Sequence, residues 1–227
     1  MYVVAQEQPP ARAAFIRKTY AHLAGAVGAF IAIETLLVQS GIAEKLAQAM
    51  SGGFTWLAVL AGFSLLGWFS RSLASKADSV SLQYGGLAIY VVAEALLFAP
   101  LIYIASSMSD PSVIPTAGIL TVLMFVGLTT VALTTGKDFS FLGGALKIGG
   151  FVALGAIVCS VIFNFQLGVL FSVLMVGFAM AAILYDTSKI MNNFSKDQYV
   201  AAALELFASV ALLFWYVLRI VMSMSRR

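Results

Sequence analysis

Long apolar stretches alternate with short polar breaks along the whole chain. A membrane-spanning helix needs roughly 20 apolar residues to cross the hydrocarbon core of a bilayer. Seven stretches meet this length, near 20–38, 54–70, 84–106, 114–134, 145–163, 167–191 and 199–221. The breaks between them carry turn residues and charges, as in SMSDPSVIP and NNFSKDQ. The pattern predicts an all-α integral membrane protein with seven transmembrane helices.

The amino-acid composition also indicates a membrane protein, and it favours lipid over nucleic acid as a partner. Of the 227 residues, 61% are hydrophobic and 10% are charged, whereas soluble domains carry about 25% charged residues. Much of the apolar surface must therefore face lipid, so the lipid bilayer is the first partner. The net charge of +3 is too small and dispersed to predict nucleic-acid binding. The single cysteine, Cys159, cannot form an intramolecular disulfide, and its apolar neighbours predict a packed thiol.

The segmentation divides the chain into three parts. Residues 1–19 are predicted to be a cytosolic N-terminal tail, which Pro9 and Pro10 make a candidate for disorder. Residues 20–221 form the membrane domain, and residues 222–227 form a short basic C-terminal tail. The first apolar segment lacks a small-residue cleavage site followed by polar sequence, so we interpret it as a span and not a signal peptide.

Lysine and arginine placement predicts the orientation, because these residues concentrate in cytosolic loops. With a cytosolic N-terminus, nine lie inside: Arg12, Arg17, Lys18, Arg71, Lys76, Lys137, Lys147, Lys189 and Lys196. Four then lie outside: Lys45, Arg219, Arg226 and Arg227. The balance favours a cytosolic N-terminus, although the C-terminal SRR argues for the opposite orientation and leaves that alternative open.

Few ionisable residues fall inside the predicted spans. An acid at the centre of a membrane helix costs about 2.5–3.5 kcal/mol on insertion scales and usually faces the bundle interior. Glu94 lies at mid-depth of the third span, whereas Asp186 and Glu205 lie in the sixth and seventh. Glu34 and His22, near the two ends of the first span, are predicted to be interfacial.

Asp186 and Glu205 lie at similar predicted depth. Each stands six residues from the polar turn that joins the last two spans, which places both about 9 Å inside the same boundary. Spans joined by a short turn are antiparallel neighbours, so the two carboxyls could meet and share a proton. Alternatively, Asp186 pairs with Lys189 or Arg71, and the Glu205 side chain reaches the headgroup layer.

No enzyme motif is present. The chain lacks HExxH, GxSxG and any cysteine–histidine cluster with metal-ligand spacing. We therefore predict no catalytic residue, no resident cofactor and no assigned metal site, although the matched depth of Asp186 and Glu205 leaves an aspartyl protease as an alternative.

Three stretches carry a family resemblance: ILYDTSKI at 183–190, TTGKDFSFLGG at 134–144 and TYAHLAGAVGAFIAIE at 19–34. They resemble the Bax inhibitor-1 (transmembrane Bax inhibitor motif) family, in its bacterial YccA-like branch. The YDTSKI stretch is the most specific, and the likeness covers essentially the whole chain. The resemblance implies a seven-helix fold whose last helix is enclosed by the other six, in a bacterial inner membrane.

The resemblance also implies a calcium-permeable leak whose opening is set by pH. In the family, two aspartates on the sixth and seventh helices share protons, and an arginine on the second stabilises the closed form. Asp186 matches the first aspartate and Arg71 matches the arginine, but Ser209 occupies the place of the second aspartate. Glu205, four residues before Ser209 on the same helix face, or Glu94 on another helix is the candidate second acid.

Two principal functions follow. The first is a pH-regulated calcium or cation leak channel with Asp186 as proton sensor, since hard cations such as a transiently bound Ca²⁺ prefer oxygen ligands. The alternative is a modulator or binding partner of an FtsH-type membrane protease without transport activity, with residues 1–19 as the interaction segment. A stress-protective membrane protein without transport is a third possibility.

Overall fold

The computed structural model describes residues 3–76 and 79–225, and within these ranges the chain is helical and has no strand. A short 3₁₀ helix, Val4–Gln6, precedes eight α-helices: α1 Pro9–Gln39, α2 Ile42–Ala49, α3 Gly53–Ala74, α4 Val80–Met108, α5 Val113–Thr135, α6 Leu142–Ile162, α7 Val169–Asn193 and α8 Tyr199–Ser225. All except α2 are long and apolar enough to cross a membrane. The predicted all-α, seven-span architecture is confirmed.

Helix α1 begins earlier than the sequence pattern indicates. It starts at Pro9, so most of the predicted tail 1–19 is helical. A proline is well tolerated at the first helical position, because its missing N–H would have no partner there and its φ suits the helix. At the other end, α8 continues to Ser225 through most of the predicted tail 222–227, whose last two residues lie outside the described ranges.

The segment before α1 is docked on the bundle. Val4 is fully buried, and its backbone N–H donates a hydrogen bond of 2.9 Å to the carbonyl of Phe194, just after α7. The expectation of disorder is wrong for this part of the tail, because one buried apolar side chain and one backbone hydrogen bond hold it.

Helix α2 was not expected, since SGIAEKLAQAMSGG was interpreted as a polar break. It packs mainly against α4 and buries Ala43. Gly41 precedes it with a φ of 72°, a left-handed conformation that glycine adopts without steric strain.

Helix α8 lies at the centre of the bundle. It packs against α1, α3, α4, α5 and α7, and Leu204, Leu206, Leu213 and Leu218 are fully buried on it. Helix α6 stands at the periphery and packs mainly against α7. The last helix is therefore enclosed, as expected, chiefly by five of the long helices. Cys159 lies exposed on the peripheral α6, so the prediction of a packed thiol is wrong.

The starts of α1, α4 and α8 share one end of the bundle with the ends of α3 and α7; we call this end the N-terminal face. Two hydrogen bonds illustrate the arrangement. The Gln198 side chain, just before α8, donates to the Ser75 carbonyl after α3 at 3.1 Å, and Gln83 on α4 donates to the Asp197 carbonyl at 3.2 Å.

Candidate functional site

Asp186 is buried on α7 and is held by Ser209 on α8. The Ser209 hydroxyl donates a hydrogen bond of 2.5 Å to Oδ2 of Asp186, and the two residues are only 8% and 6% exposed. Ser209 is the residue at which the family resemblance implies an acid. The structure therefore places the expected partner position in direct contact with Asp186, with a hydroxyl in place of a carboxyl.

Glu205 has cationic partners. Its carboxylate lies 3.5 Å from Nε of Arg71 on α3 and 3.1 Å from Nζ of Lys189 on α7. The cluster is partly accessible, since the Glu205 side chain is 18% exposed and the Arg71 side chain is 43% exposed. Asp186 and Glu205 thus lie in the same region, but each has its own partner and no hydrogen bond joins the two carboxylates.

The difference from prediction is one of helix register. Asp186 lies opposite Ser209, and Lys189 lies opposite Glu205. Equal distances from the turn would instead place Asp186 opposite Glu205. Glu205 lies four residues before Ser209, the residue that Asp186 contacts in the structure. Four residues are about one helical turn, roughly 5.4 Å along the axis.

Arg71 connects three helices. Besides its ion pair with Glu205 on α8, its guanidinium lies 5.3 Å from the centre of the Tyr90 ring on α4. Such a cation–π contact restricts the guanidinium plane over the ring. Arg71 is therefore held between α3, α4 and α8, at the end of a cavity that lies near the N-terminal face.

This cavity has a volume of about 600 Å³ and lies among α3, α4, α6, α7 and α8. Its wall includes Arg71 near the N-terminal face and Arg219 towards the opposite end, with Glu94 and Ser209 between them. Glu94 is buried, being 5% exposed. Asp186 is not part of this wall, but its hydrogen-bond partner Ser209 is. The cavity thus connects the three predicted site positions Arg71, Glu94 and Ser209.

The α5–α6 loop is tied to α7 beside the site. Oδ1 of Asp138 accepts hydrogen bonds from the Ser188 hydroxyl at 3.1 Å and from the Ser140 N–H at 2.9 Å. The Phe139 N–H donates to the Ser188 hydroxyl oxygen at 3.1 Å, and Asn192 donates to the same oxygen at 3.3 Å. The hydroxyl and the backbone N–H of Ser140, followed by Ser188, lower the pKa of Asp138.

This contact joins two of the stretches that carry the family resemblance. Asp138 belongs to TTGKDFSFLGG, and Ser188 belongs to ILYDTSKI. The sequence reasoning missed both residues as site residues, although the joint presence of the two stretches was a usable signal.

Glu34 is a third buried acid, after Asp186 and Glu94. The prediction of an interfacial Glu34 is wrong: it is 5% exposed, and neither carboxyl oxygen has a hydrogen-bond partner within the described residues. It lies one turn beyond Phe30, whose ring packs against Phe98 of α4 and Phe207 of α8. Packing of α1 against α2, α4 and α8 covers this part of the helix.

Metal coordination has no ready-made centre in the described part of the chain. Among residues 3–76 and 79–225, no group of three or more His, Cys, Asp and Glu side chains is placed to hold an ion. A bound cation at the cavity would therefore rest on isolated carboxylates, hydroxyls and water.

Taken together, the fold and the site define a multi-pass membrane protein with a buried acid–hydroxyl pair and an adjoining ion-pair cluster around an enclosed last helix. A family model described as "Inhibitor of apoptosis-promoting Bax1" matches residues 12–227. The chain belongs to the Bax inhibitor-1 family.

Relatives come from plants, animals and bacteria. Protein LIFEGUARD 4 of Arabidopsis thaliana is 30% identical over 230 residues, covering 97% of this chain and 89% of the relative. An uncharacterized protein of Pseudomonas aeruginosa is 41% identical over 110 residues, 48% of this chain and 49% of that protein. Modulator of FtsH protease YccA of Escherichia coli is 31% identical over 125 residues, 55% of this chain and 56% of YccA. The chain thus aligns with about half of each bacterial relative.

Proposed function

We propose that this protein is a pH-regulated cation leak channel of the bacterial inner membrane, with Ca²⁺ as a permeant ion and the cavity among α3, α4, α6, α7 and α8 as its path. The observation that carries the proposal is the position of Arg71. Its guanidinium lies in the cavity wall and is held there by Glu205 on the central helix. Movement of α8 relative to α3 would therefore shift the positively charged guanidinium of Arg71 at the end of the path.

The charges of the site provide the pH dependence. Glu205 offsets the charge of Arg71, so Glu94 in the wall and Asp186 behind Ser209 are the acids left to attract a cation. In a site of low polarity, one charge changes the energy of an entering ion far more than it would in water. Protonation neutralises these carboxylates, whereas arginine keeps its charge. Acid therefore leaves Arg219 of the cavity wall without a compensating charge, so the cavity becomes net positive and cation flux falls.

Flux measurements test this proposal directly. The purified protein is reconstituted into liposomes containing a calcium indicator, and flux is measured between about pH 5 and about pH 8. We expect flux to rise with pH in the wild type and to depend less on pH in Asp186→Asn. Glu44→Gln is the control, because Glu44 is exposed on α2 and, among the described residues, its carboxylate accepts one side-chain hydrogen bond, from Gln48. Absence of flux at every pH, or an unchanged profile in Asp186→Asn, contradicts the proposal.

Modulation of an FtsH-type membrane protease is the second candidate. It is supported by the similarity to the E. coli protein named Modulator of FtsH protease YccA. The segment before α1 is the candidate binding segment for such a partner. It can be tested by deletion, because residues ahead of Pro9 can be removed without shortening α1.

Deletion of residues 2–7 separates the two functions. If this segment binds the protease, the deletion abolishes co-purification with the protease while calcium flux remains. Retained co-purification after the deletion excludes this segment as the binding segment. Co-purification without flux in the full-length protein favours the modulator function over the channel.

A further inference from the structure

A compact cluster of cationic and aromatic side chains lies at the N-terminal face, apart from the cavity. Nε2 of His22 on α1 and the Tyr84 hydroxyl on α4 are 2.6 Å apart, and Nδ1 of His22 lies 2.7 Å from the Lys18 carbonyl oxygen. The His22 ring also packs against Tyr199 of α8 at a centroid distance of 5.0 Å. Nζ of Lys18 lies 5.0 Å from the centre of the same Tyr199 ring.

The hydrogen bonds fix the orientation of this cluster. A carbonyl oxygen only accepts, so Nδ1 of His22 carries the hydrogen and donates to the Lys18 carbonyl. In the neutral ring, Nε2 then accepts from the Tyr84 hydroxyl. Tyr84 nevertheless stays 44% exposed, and Lys18 is exposed as well. The cluster therefore presents an ammonium group and a positioned phenol to the outside.

An apolar groove of about 400 Å³ begins at this cluster and runs between α1 and α4. His22 and Tyr84 line its start, and Ile33 lines its far end. Small side chains on α1 create the concavity: Ala21, Gly25 and Ala29. From residue 21 to residue 33 the groove extends about 18 Å along the helix, close to half of the roughly 30 Å hydrocarbon thickness.

We propose that this groove and the Lys18–His22–Tyr84–Tyr199 cluster form a binding site for one anionic phospholipid. The length of the groove matches an acyl chain of a single leaflet, and its polar end lies where a headgroup would lie. Lys18 supplies the positive charge for the phosphate, and Tyr84 supplies a hydroxyl at the groove entrance. Basic pockets between transmembrane helices are known to bind anionic headgroups, and tyrosine is favoured at this depth.

Charge complementarity favours a lipid over a second copy of this chain. Small residues four apart also allow two helices to approach closely. However, copies inserted in the same orientation would bring Arg17 and Lys18, both exposed on α1, towards the same cations of the other copy. Like charges in close contact oppose association, whereas an anionic lipid neutralises them.

Lipid binding to the full-length protein in detergent tests the site. Phosphatidylglycerol and phosphatidylcholine with identical acyl chains are compared by native mass spectrometry and by the shift in thermal unfolding temperature. We expect one tightly retained phosphatidylglycerol and a larger thermal shift with it than with phosphatidylcholine. Lys18→Gln should weaken phosphatidylglycerol binding about fivefold, the effect of one cation near a membrane surface. Lys196→Gln, an exposed lysine at the same face outside the cluster, should not.

A pair of glycine variants tests the groove itself. Gly25→Leu fills the groove, whereas Gly28→Leu places the same side chain elsewhere on α1; both positions have open space around an added Cβ. We expect loss of the retained lipid in Gly25→Leu and retention in Gly28→Leu, with Ala29→Leu replacing Gly25→Leu if that variant does not fold.

Three results would overturn the proposal. The first is equal binding of the two lipids. The second is an equal thermal shift from glycerol 3-phosphate, which would show that a headgroup alone suffices. The third is a dimer in the mass spectrum that Gly25→Leu abolishes, because it would assign the groove to a second copy of the chain.

Discussion

Ser209 on α8 donates its hydroxyl hydrogen to the buried carboxyl of Asp186 on α7. The position at which the family resemblance implies a second acid is therefore directly opposite the first. Ser209 also lines the cavity, so its hydrogen bond connects Asp186 to the cavity wall.

Replacing Ser209 with alanine removes this hydrogen bond and leaves a buried carboxyl without its donor. The loss should lower the free energy of unfolding by about 1–3 kcal/mol, as for other buried polar groups that lose a partner. Chemical unfolding followed by tryptophan fluorescence measures the change. Ser106→Ala is the matched control, because Ser106 is exposed on α4 and donates its hydroxyl hydrogen to the Tyr103 carbonyl of its own helix. Equal destabilisation by the two variants would show that the Ser209 contact has no special role.

Glu205→Gln should destabilise the junction of α3, α7 and α8. The change leaves Arg71 and Lys189 close together without their shared counter-charge. Since the cluster is partly exposed, solvent screening limits the expected loss to about 1–2 kcal/mol. A double-mutant cycle with Arg71→Gln measures the coupling by unfolding. The two effects should be non-additive; simple additivity would mean that the ion pair contributes nothing.

Gly86 is a position at which α3 and α4 approach closely. A Cβ there would lie 2.5 Å from the Ser70 carbonyl oxygen and 2.9 Å from the Ala74 nitrogen, both of them backbone atoms. Gly86→Ala should therefore lower the free energy of unfolding by about 1–3 kcal/mol, as overpacking does. An added Cβ at neighbouring Gly85 meets nothing within 4 Å, so Gly85→Ala should raise helix stability by up to about 1 kcal/mol. A similar thermal shift in both variants would contradict this close contact.

The Asp138 loop should contribute pH-dependent stability. Hydrogen bonds from Ser140 and Ser188 lower the pKa of Asp138 relative to the unfolded chain. Stability from such a group is present above its ordinary pKa, about 3.9, and is lost as the pH falls through the lowered value. Asp138→Asn should therefore reduce stability at neutral pH, and its difference from the wild type should narrow in acid. Unfolding measured as a function of pH tests this.

A companion loop provides the control for Asp138. The pKa of Asp110 is also lowered, but by hydrogen bonds from Ser112 in its own loop. Ser188→Ala should weaken the effect of Asp138→Asn and leave that of Asp110→Asn unchanged. If Ser188→Ala alters both equally, the contact between the α5–α6 loop and α7 does not set the charge preference of Asp138.

Local sequence information was sufficient for the membrane helices and insufficient for their contacts. Every predicted span overlaps an observed helix. Backbone polar groups in lipid must form hydrogen bonds within their own segment, so a long apolar segment that crosses the bilayer is helical. The short helix α2 and the docked Val4 depend on packing against other parts of the chain. These two stretches are too short for their sequence pattern to indicate that packing.

The candidate site shows the same division. Asp186, Glu205, Glu94 and Arg71 were identifiable because ionisable side chains are rare in apolar segments. Depth counted from a turn, however, did not determine which of them meet. The register of α7 against α8 places Asp186 in hydrogen-bond contact with Ser209. The packing of α3 beside α8 brings Arg71 into an ion pair with Glu205.

The apolar segments of the chain were enough to predict a seven-span membrane protein, the segments that cross and the few charged residues inside them. The partners of those charges and the burial of Glu34 followed only from contacts between helices. The difference arises because the cost of placing a polar group in lipid is a local property of each segment. A contact between side chains instead depends on helix rotation, on a register shift of about one turn, and on a third helix distant in the chain.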